Sequence, residues 1–269
     1  MAYSLRGARL AAESNLWRSA NVPGGSTAAE LTIMGWVYWR SFLVNGSILD
    51  VINTGSPPTC ERALYTSTGP VLTTWNTVAQ AAGATVLVVN RWYHVTMVNS
   101  IAGNYCKSFL NGVQETTQAA SAGTGVDTFI LLDNRRVSGS YGDLQIGAVK
   151  AWDRPLAVSE IVSEMAQNTP VSRMGLNTWL PLASPEDMRR SGLGRGFHGG
   201  ALNRFGDAQG TIDNDKWTQV GTIDIENGPP IPFSLARPLR IARYPALAAA
   251  GVEKIGARTI FLGGLTMTG

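Results

Sequence analysis

The stretch from Gly142 to Ile161 does most to limit what this chain can fold into. Gly142-Asp143-Leu144-Gln145-Ile146-Gly147-Ala148-Val149-Lys150-Ala151-Trp152 reads as a strand, and Asp153-Arg154-Pro155 as a turn. Residues 158–166 follow as a short helix. Val158, Ile161, Val162 and Met165 recur there at helical spacing, enough to dock one face. This order of strand, turn and short helix speaks to fold and leaves the ligand open.

The rest of the chain adds strands. Leu31-Thr32-Ile33-Met34-Gly35-Trp36-Val37-Tyr38-Trp39 is rich in strand formers and mostly alternates, with Leu31, Ile33, Gly35, Val37 and Trp39 on one face. Further strands are predicted at 47–52, 63–66, 71–75, 85–89, 92–98, 128–132 and 176–182. Asn111-Gly112 sits between two alternating runs and predicts a tight hairpin, because both central residues of a type I′ turn need positive φ. From Asn227 the character changes. Gly228-Pro229-Pro230-Ile231-Pro232 cannot continue a central strand, since proline lacks the ladder donor. The sequence therefore divides into a β-domain over 1–226 and an extended arm over 227–269, too small for a core of its own.

Composition narrows the class. Hydrophobic residues make up 44% of the 269 and include eight Trp, ample for a buried core. Charged residues are 15%, against roughly 25% in an average soluble domain. Two readings fit: a surface partly hidden in an assembly, or loops built from Ser, Thr, Asn and Gly. The net charge of +3 has no basic cluster behind it, so nucleic acid is not expected as a partner. The first ten residues hold no apolar run suited to a signal peptide, and no segment approaches the ~20 apolar residues of a membrane helix. Neither secretion by a leader nor a membrane is expected. Cys60 and Cys106 are the only thiols, too few for a disulfide scaffold and spaced for no metal knuckle. They are read as two independent thiols, with pairing left open.

Four pieces carry a family resemblance. Thr32-Ile33-Met34-Gly35-Trp36-Val37, after Leu16-Trp17-Arg18-Ser19, resembles the opening strand of laminin-G-like, concanavalin A-like jelly rolls. Asn90-Arg91-Trp92-Tyr93-His94-Val95-Thr96 and Phe109-Leu110-Asn111-Gly112 resemble two later strands of that family. Leu176–Leu182 with Ser191-Gly192-Leu193-Gly194-Arg195 resembles its return, and the stretch from Gly142 resembles its closing element. The resemblance covers roughly residues 15–205. It implies an all-β fold: a concanavalin A-like sandwich of two antiparallel sheets with one concave face, one short helix, and here an extended C-terminal arm. It implies binding more often than catalysis, although fold alone does not settle function. In the family the histidine matching His94 is structural. Two departures stand out. Ala157 takes the place of a capping Ser, a loss of about 1 kcal/mol. Met188 or Arg189 stands near an Asp that supports calcium in relatives, which argues against calcium here.

Candidate chemistry is sparse. Acid and nucleophile of a sandwich glycoside hydrolase share one strand face. The near match, Asp224-Ile225-Glu226, lacks a third acid and falls outside the resemblance. Arg136-Val137-Ser138-Gly139-Ser140 lacks the strand–turn–helix setting of a serine nucleophile. His198 lies on a glycine-rich loop without a partner motif. Asp207 and Asp213-Asn214-Asp215 offer hard oxygens, but EF-hand spacing is absent and a solvated turn is the reading. No catalytic residue, metal site or cofactor is therefore assigned.

Trp75 and Tyr141 are the candidate sugar-stacking rings, each read in an exposed loop; Trp39 is read as core. The arm interleaves basic and apolar residues, and Phe233, Arg237, Arg240, Arg243, Tyr244, Ile260 and Phe261 are its candidate partner contacts. The segment 258–262 could add a strand to a neighbour's sheet edge. The expectation is a non-enzymatic structural or interaction protein, a bacteriophage virion component such as a capsid decoration, cement or tail surface protein. Its partners would be other copies of itself, capsid or tail proteins, and host-surface glycans. The alternative is a lectin tied to no virion, and a glycoside hydrolase ranks below both.

Overall fold

The structure, a computed structural model, describes residues 3–7, 17–19, 22–42, 46–53, 59–66, 69–77, 79–121, 123, 125–126, 128–131, 144–180, 218–219, 223–229, 231, 260–262 and 265–267. In chain order the strands are β1 (Tyr3–Gly7), β2 (Trp17–Ser19), β3 (Glu30–Trp39), β4 (Gly46–Asn53), β5 (Thr59–Thr66) and β6 (Val71–Asn76). There follow β7 (Ala79–Val86), β8 (Trp92–Ser100), β9 (Tyr105–Leu110), β10 (Val113–Gln118), β11 (Thr128–Leu131) and β12 (Leu144–Trp152). Helix α1 (Val158–Met165) precedes β13 (Leu176–Leu180), β14 (Thr218–Gln219), β15 (Ile223–Asn227), β16 (Ile260–Leu262) and β17 (Leu265–Met267).

Strands β1–β15 make two antiparallel sheets. The first runs β10-β9-β8-β3-β12-β1-β15, with β13 also on β12. One edge of β12 is shared: β1 pairs at Gln145–Ile146 and β13 from Val149 onward. The second sheet runs β14-β2-β11-β4-β5-β6-β7. The alternation of β3 does what its sequence asks. Leu31, Ile33, Val37 and Trp39 enter the main core with Val95, Met97, Ile146 and Val149 of the first sheet and Leu49, Val51, Leu64, Leu72 and Phe129 of the second. Each such side chain taken out of water stabilises the fold by about 2 kcal/mol. Asn111 and Gly112 have φ of 51° and 79°, and the β9–β10 hairpin closes on them as expected.

The apolar core gives way to polar groups at one end. Arg62, fully buried on the inner face of β5, donates from Nη1 to Thr77 Oγ1 at 2.6 Å and from Nη2 to the Ser121 carbonyl. Thr116 Oγ1 bridges Ser108 Oγ at 2.7 Å and Thr74 Oγ1 at 3.1 Å, joining one sheet to the other. Cys106 is a free thiol in this interior, and burial pushes its pKa up to about 11.

Several expectations change. The strand predicted at 85–89 is found at 79–86, because β6 templates an Ala-rich segment of low intrinsic strand preference. Asp224-Ile225-Glu226, which falls outside the stretch that carries the family resemblance, forms β15 and pairs with β1 along its whole length. In α1 the buried residues are Ile161 and Glu164, while Val158 and Val162 are 51% and 44% exposed. A buried lysine beneath the helix turns Glu164 inward.

Contacts divide the chain into two compact units, Met1–Phe233 and Ser234–Gly269. The sandwich lies in the first; Pro229 and Ile231 are buried there, after β15. In the second, β16 pairs antiparallel with β17, Phe261 opposite Thr266. The strand expected to add to a neighbour's sheet is thus paired within its own unit.

Candidate functional site

The outer face of the first sheet is occupied. Helix α1 lies over it, and Met34, Val98, Phe109, Trp152, Leu156, Ile161 and Leu176 form a second core between them. Lys150 sits at the centre, almost fully buried. Its Nζ reaches Glu164 Oε2 at 2.7 Å and donates to the carbonyls of Glu164 at 2.9 Å and Gln167 at 2.7 Å. The second Glu164 oxygen accepts the N–H groups of Val171 at 2.8 Å and Ser172 at 2.6 Å. All three ammonium protons and both carboxylate oxygens are thereby engaged, as a buried ion pair requires. Burial pulls Lys150 below the usual lysine value, against the opposing pull of Glu164.

His94 faces the same layer. Its ring meets Trp36 edge-on with centroids 5.4 Å apart, and Trp36 Nε1 donates to the Met165 carbonyl at 3.2 Å. Burial, with Lys150 adding to it, lowers the His94 pKa to about 3. A neutral, enclosed imidazole there fills the space between the sheet and the helix. Ala157 stands at the helix N-cap without a capping side chain, yet Glu160 Oε2 accepts its N–H at 2.9 Å. Arg154 grips both Glu160 oxygens, at 2.6 and 3.1 Å, and this is the main reason that Glu160 falls to a pKa of about 2.

The outer face of the second sheet differs. Register places Asp50, Ala63, Trp75 and Gln80 side by side across β4, β5, β6 and β7. Tyr65 and Thr73 form the adjoining row. Ser47 Oγ donates to Asp50 Oδ2, and the Tyr65 hydroxyl reaches across β6 to donate to Gln80 Oε1 at 2.8 Å. Asp50, Ala63, Tyr65 and Thr73 are buried, Trp75 is half-buried and Gln80 is exposed. The face is closed over β4 and β5 and opens at β6 and β7.

Trp75 is therefore on a strand and not in a loop. Its neighbour Asn76 ends β6 fully buried, donating from Nδ2 to the Ala119 carbonyl. Trp39 is core, 1% exposed. Tyr141, Phe233, Arg237, Arg240, Arg243 and Tyr244 lie outside the described residues, as do Met188, Arg189, His198, Asp207 and the 213–215 acids. Ile260 and Phe261 are on β16. The sequence reading missed Tyr65 and Gln80. The period-two pattern puts Tyr65 and Ala63 on one face, but their meeting with Gln80 depends on a three-strand register that no local signal encodes. Among the described residues no three His, Cys, Asp or Glu side chains converge to hold a metal ion, and no helix is long and apolar enough to cross a membrane.

A family profile described as the concanavalin A-like lectin/glucanases superfamily, in its laminin-G branch, matches residues 17–162. The chain belongs to this superfamily. No curated protein matches the sequence. Among solved structures, this lectin-like sandwich is similar to a candidate carbohydrate-binding protein from Bacteroides ovatus, with a TM-score of 0.56 and 18% identity over 86% of this chain and 62% of that one. It is also similar to the heptameric SAP-like pentraxin from Limulus polyphemus, with a TM-score of 0.53 and 12% identity over 66% of this chain and 88% of that one. The likeness to a Trypanosoma rangeli sialidase, with a TM-score of 0.42 and 14% identity over 51% of this chain and 22% of the enzyme, carries no argument. At such identities the likeness is one of fold. The chain spans about three-fifths of the length of the Bacteroides ovatus protein.

Proposed function

We propose that this superfamily member is a non-enzymatic recognition module that takes a saccharide where the second sheet opens, at β6 and β7. The observation that carries the reading is the half-buried Trp75 ring beside exposed Gln80, whose amide oxygen is held by Tyr65. A rigid indole covers the apolar face of a pyranose at small entropic cost. With its oxygen engaged, Gln80 has its NH2 left to donate to a sugar hydroxyl. The lectin-like fold supports this, and so does the carbohydrate-binding role suggested for the Bacteroides ovatus protein. The test is a glycan array with the full chain, followed by calorimetry on the best binder. Trp75→Ala should weaken binding by about tenfold or more. Undiminished binding by the Trp75→Ala, Tyr141→Ala double variant ends the reading.

A second reading concerns where such a module works. Ser234–Gly269 is a compact unit in its own right, and it carries Arg237, Arg240 and Arg243. We propose that it attaches the sandwich to other copies of the chain or to capsid or tail proteins of a bacteriophage particle. Truncation after Phe233 should leave the sandwich's thermal unfolding unchanged and abolish incorporation into particles. Normal incorporation of the truncated chain would remove the virion reading while leaving the saccharide reading intact.

A further inference from the structure

Among the described residues, strand β7 is the edge of the second sheet, and it is an unusual one. Residues 78–90 carry no charged side chain, while most of β7 is exposed and Val86 is 65% exposed. An open edge of this kind accepts strands from other chains, and proteins ordinarily blunt such edges with charge, proline or bulges. Here the blunting group comes from the other sheet. The β9–β10 ladder shifts register between Gln114 and Thr116, leaving Glu115 as the extra residue. The β6–β7 ladder shifts between Ala82 and Val86, where Gly83, Ala84 and Thr85 oppose Leu72 alone. The two irregularities face each other. Glu115 Oε2 accepts the N–H groups of Ala84 and Thr85, both at 3.1 Å, and Oε1 accepts the Thr85 hydroxyl at 2.6 Å.

Gly83 makes this seat. A Cβ at that position would stand 2.6 Å from Glu115 Oε2 and 3.1 Å from the Leu72 carbonyl oxygen. Any other residue would expel the carboxylate or shift the ladder. The glycine is needed for the close approach of a side chain from the opposite sheet.

We propose that Glu115, seated over Gly83, latches the edges of the two sheets together and keeps β7 from pairing with the same strand of a second copy. The occupant excluded is another β7, because the uncharged Ala- and Val-rich edge is complementary to itself in an antiparallel pair and offers no charge to repel it. This role is separate from saccharide binding and from attachment through the second unit.

Sedimentation velocity on the full chain over a wide concentration range tests it. Glu115→Ala and Gly83→Ala should each self-associate about tenfold more tightly than the wild type. Glu115→Gln keeps an oxygen for the two N–H groups and should stay close to wild type. Val86→Lys, placed on the Glu115→Ala background, should reverse the association by charging the edge. Gly83→Ala retains the carboxylate and only displaces it, so it carries the test where Glu115→Ala does not fold. Wild-type association of both single variants would overturn the proposal. Association that persists after Val86→Lys would also overturn it, by placing the contact elsewhere.

Discussion

The two outer faces of this sandwich treat their polar groups in opposite ways. Over the first sheet, α1 brings Glu164 down onto Lys150, and His94 is sealed beside them. Over the second, the buried row from Asp50 to Ala63 ends at a half-open Trp75 and an exposed Gln80. A face that encloses its charges is committed to stability, since those groups cannot meet a ligand without dismantling the helix. The proposed saccharide site lies on the other face, where polar and aromatic groups reach water. Substitutions on the first face should therefore change unfolding, and those on the second should change binding.

The strongest way to break that contrast is at the buried ion pair. Lys150→Met should cost about 3–5 kcal/mol in urea unfolding, because it strands the Glu164 carboxylate. Replacing both partners with apolar residues should recover much of that loss. A Lys150→Met variant of unchanged stability would show that the helix does not depend on the pair.

His94 provides the next effect, through pH. Its folded pKa, about 3, lies below the usual histidine value near 6.5. The unfolded chain therefore binds the extra proton between those two values. Stability is full above pH ~6.5 and falls on acidification by at most about 1.4 kcal/mol per pH unit down to about 3. His94→Gln should flatten the unfolding free energy across this window.

Trp75→Ala sharpens the comparison from the other side. It should weaken saccharide binding by about tenfold and leave the pH profile of stability unaltered. A large loss of stability with no loss of binding would reassign that face to structure.

The smallest effect belongs to Arg154 and Glu160. Glu160 has a depressed pKa, so its contribution is present above the unfolded carboxylate value near pH ~4.3 and fades toward about 2. The pair is partly solvent-exposed, and Glu160→Gln should cost about 1 kcal/mol or less at neutral pH. Unfolding midpoints at neutral and acidic pH check both the size and the sign.

Local patterns in the sequence carried much of the fold. Alternation in 31–39 identified the inner face of β3, Asn111-Gly112 the hairpin, and the run from Gly142 the strand and helix that close the sheet. What depended on distant partners was hidden. Lys150 looks like a surface residue until β12 lies under α1. Val158 and Val162 fit a docking stripe by spacing, yet the need to neutralise Lys150 rotates them outward. Trp75 is expected in an exposed loop, whereas β6 runs on through it to a buried Asn76. Tyr65, Gln80 and Glu115 meet their partners only through inter-strand register and bulges.

The pairing of β1 has a consequence for synthesis. Strand β1, Tyr3–Gly7, lies between β12 and β15, and β15 ends at Asn227, 220 residues after Gly7. At about 5–20 residues per second, β1 waits roughly ten seconds or longer for its outer neighbour to leave the ribosome. During that interval the nascent chain holds an unmatched ribbon, and a chaperone or a second nascent chain on the same message can reach it before its own C-terminal half does.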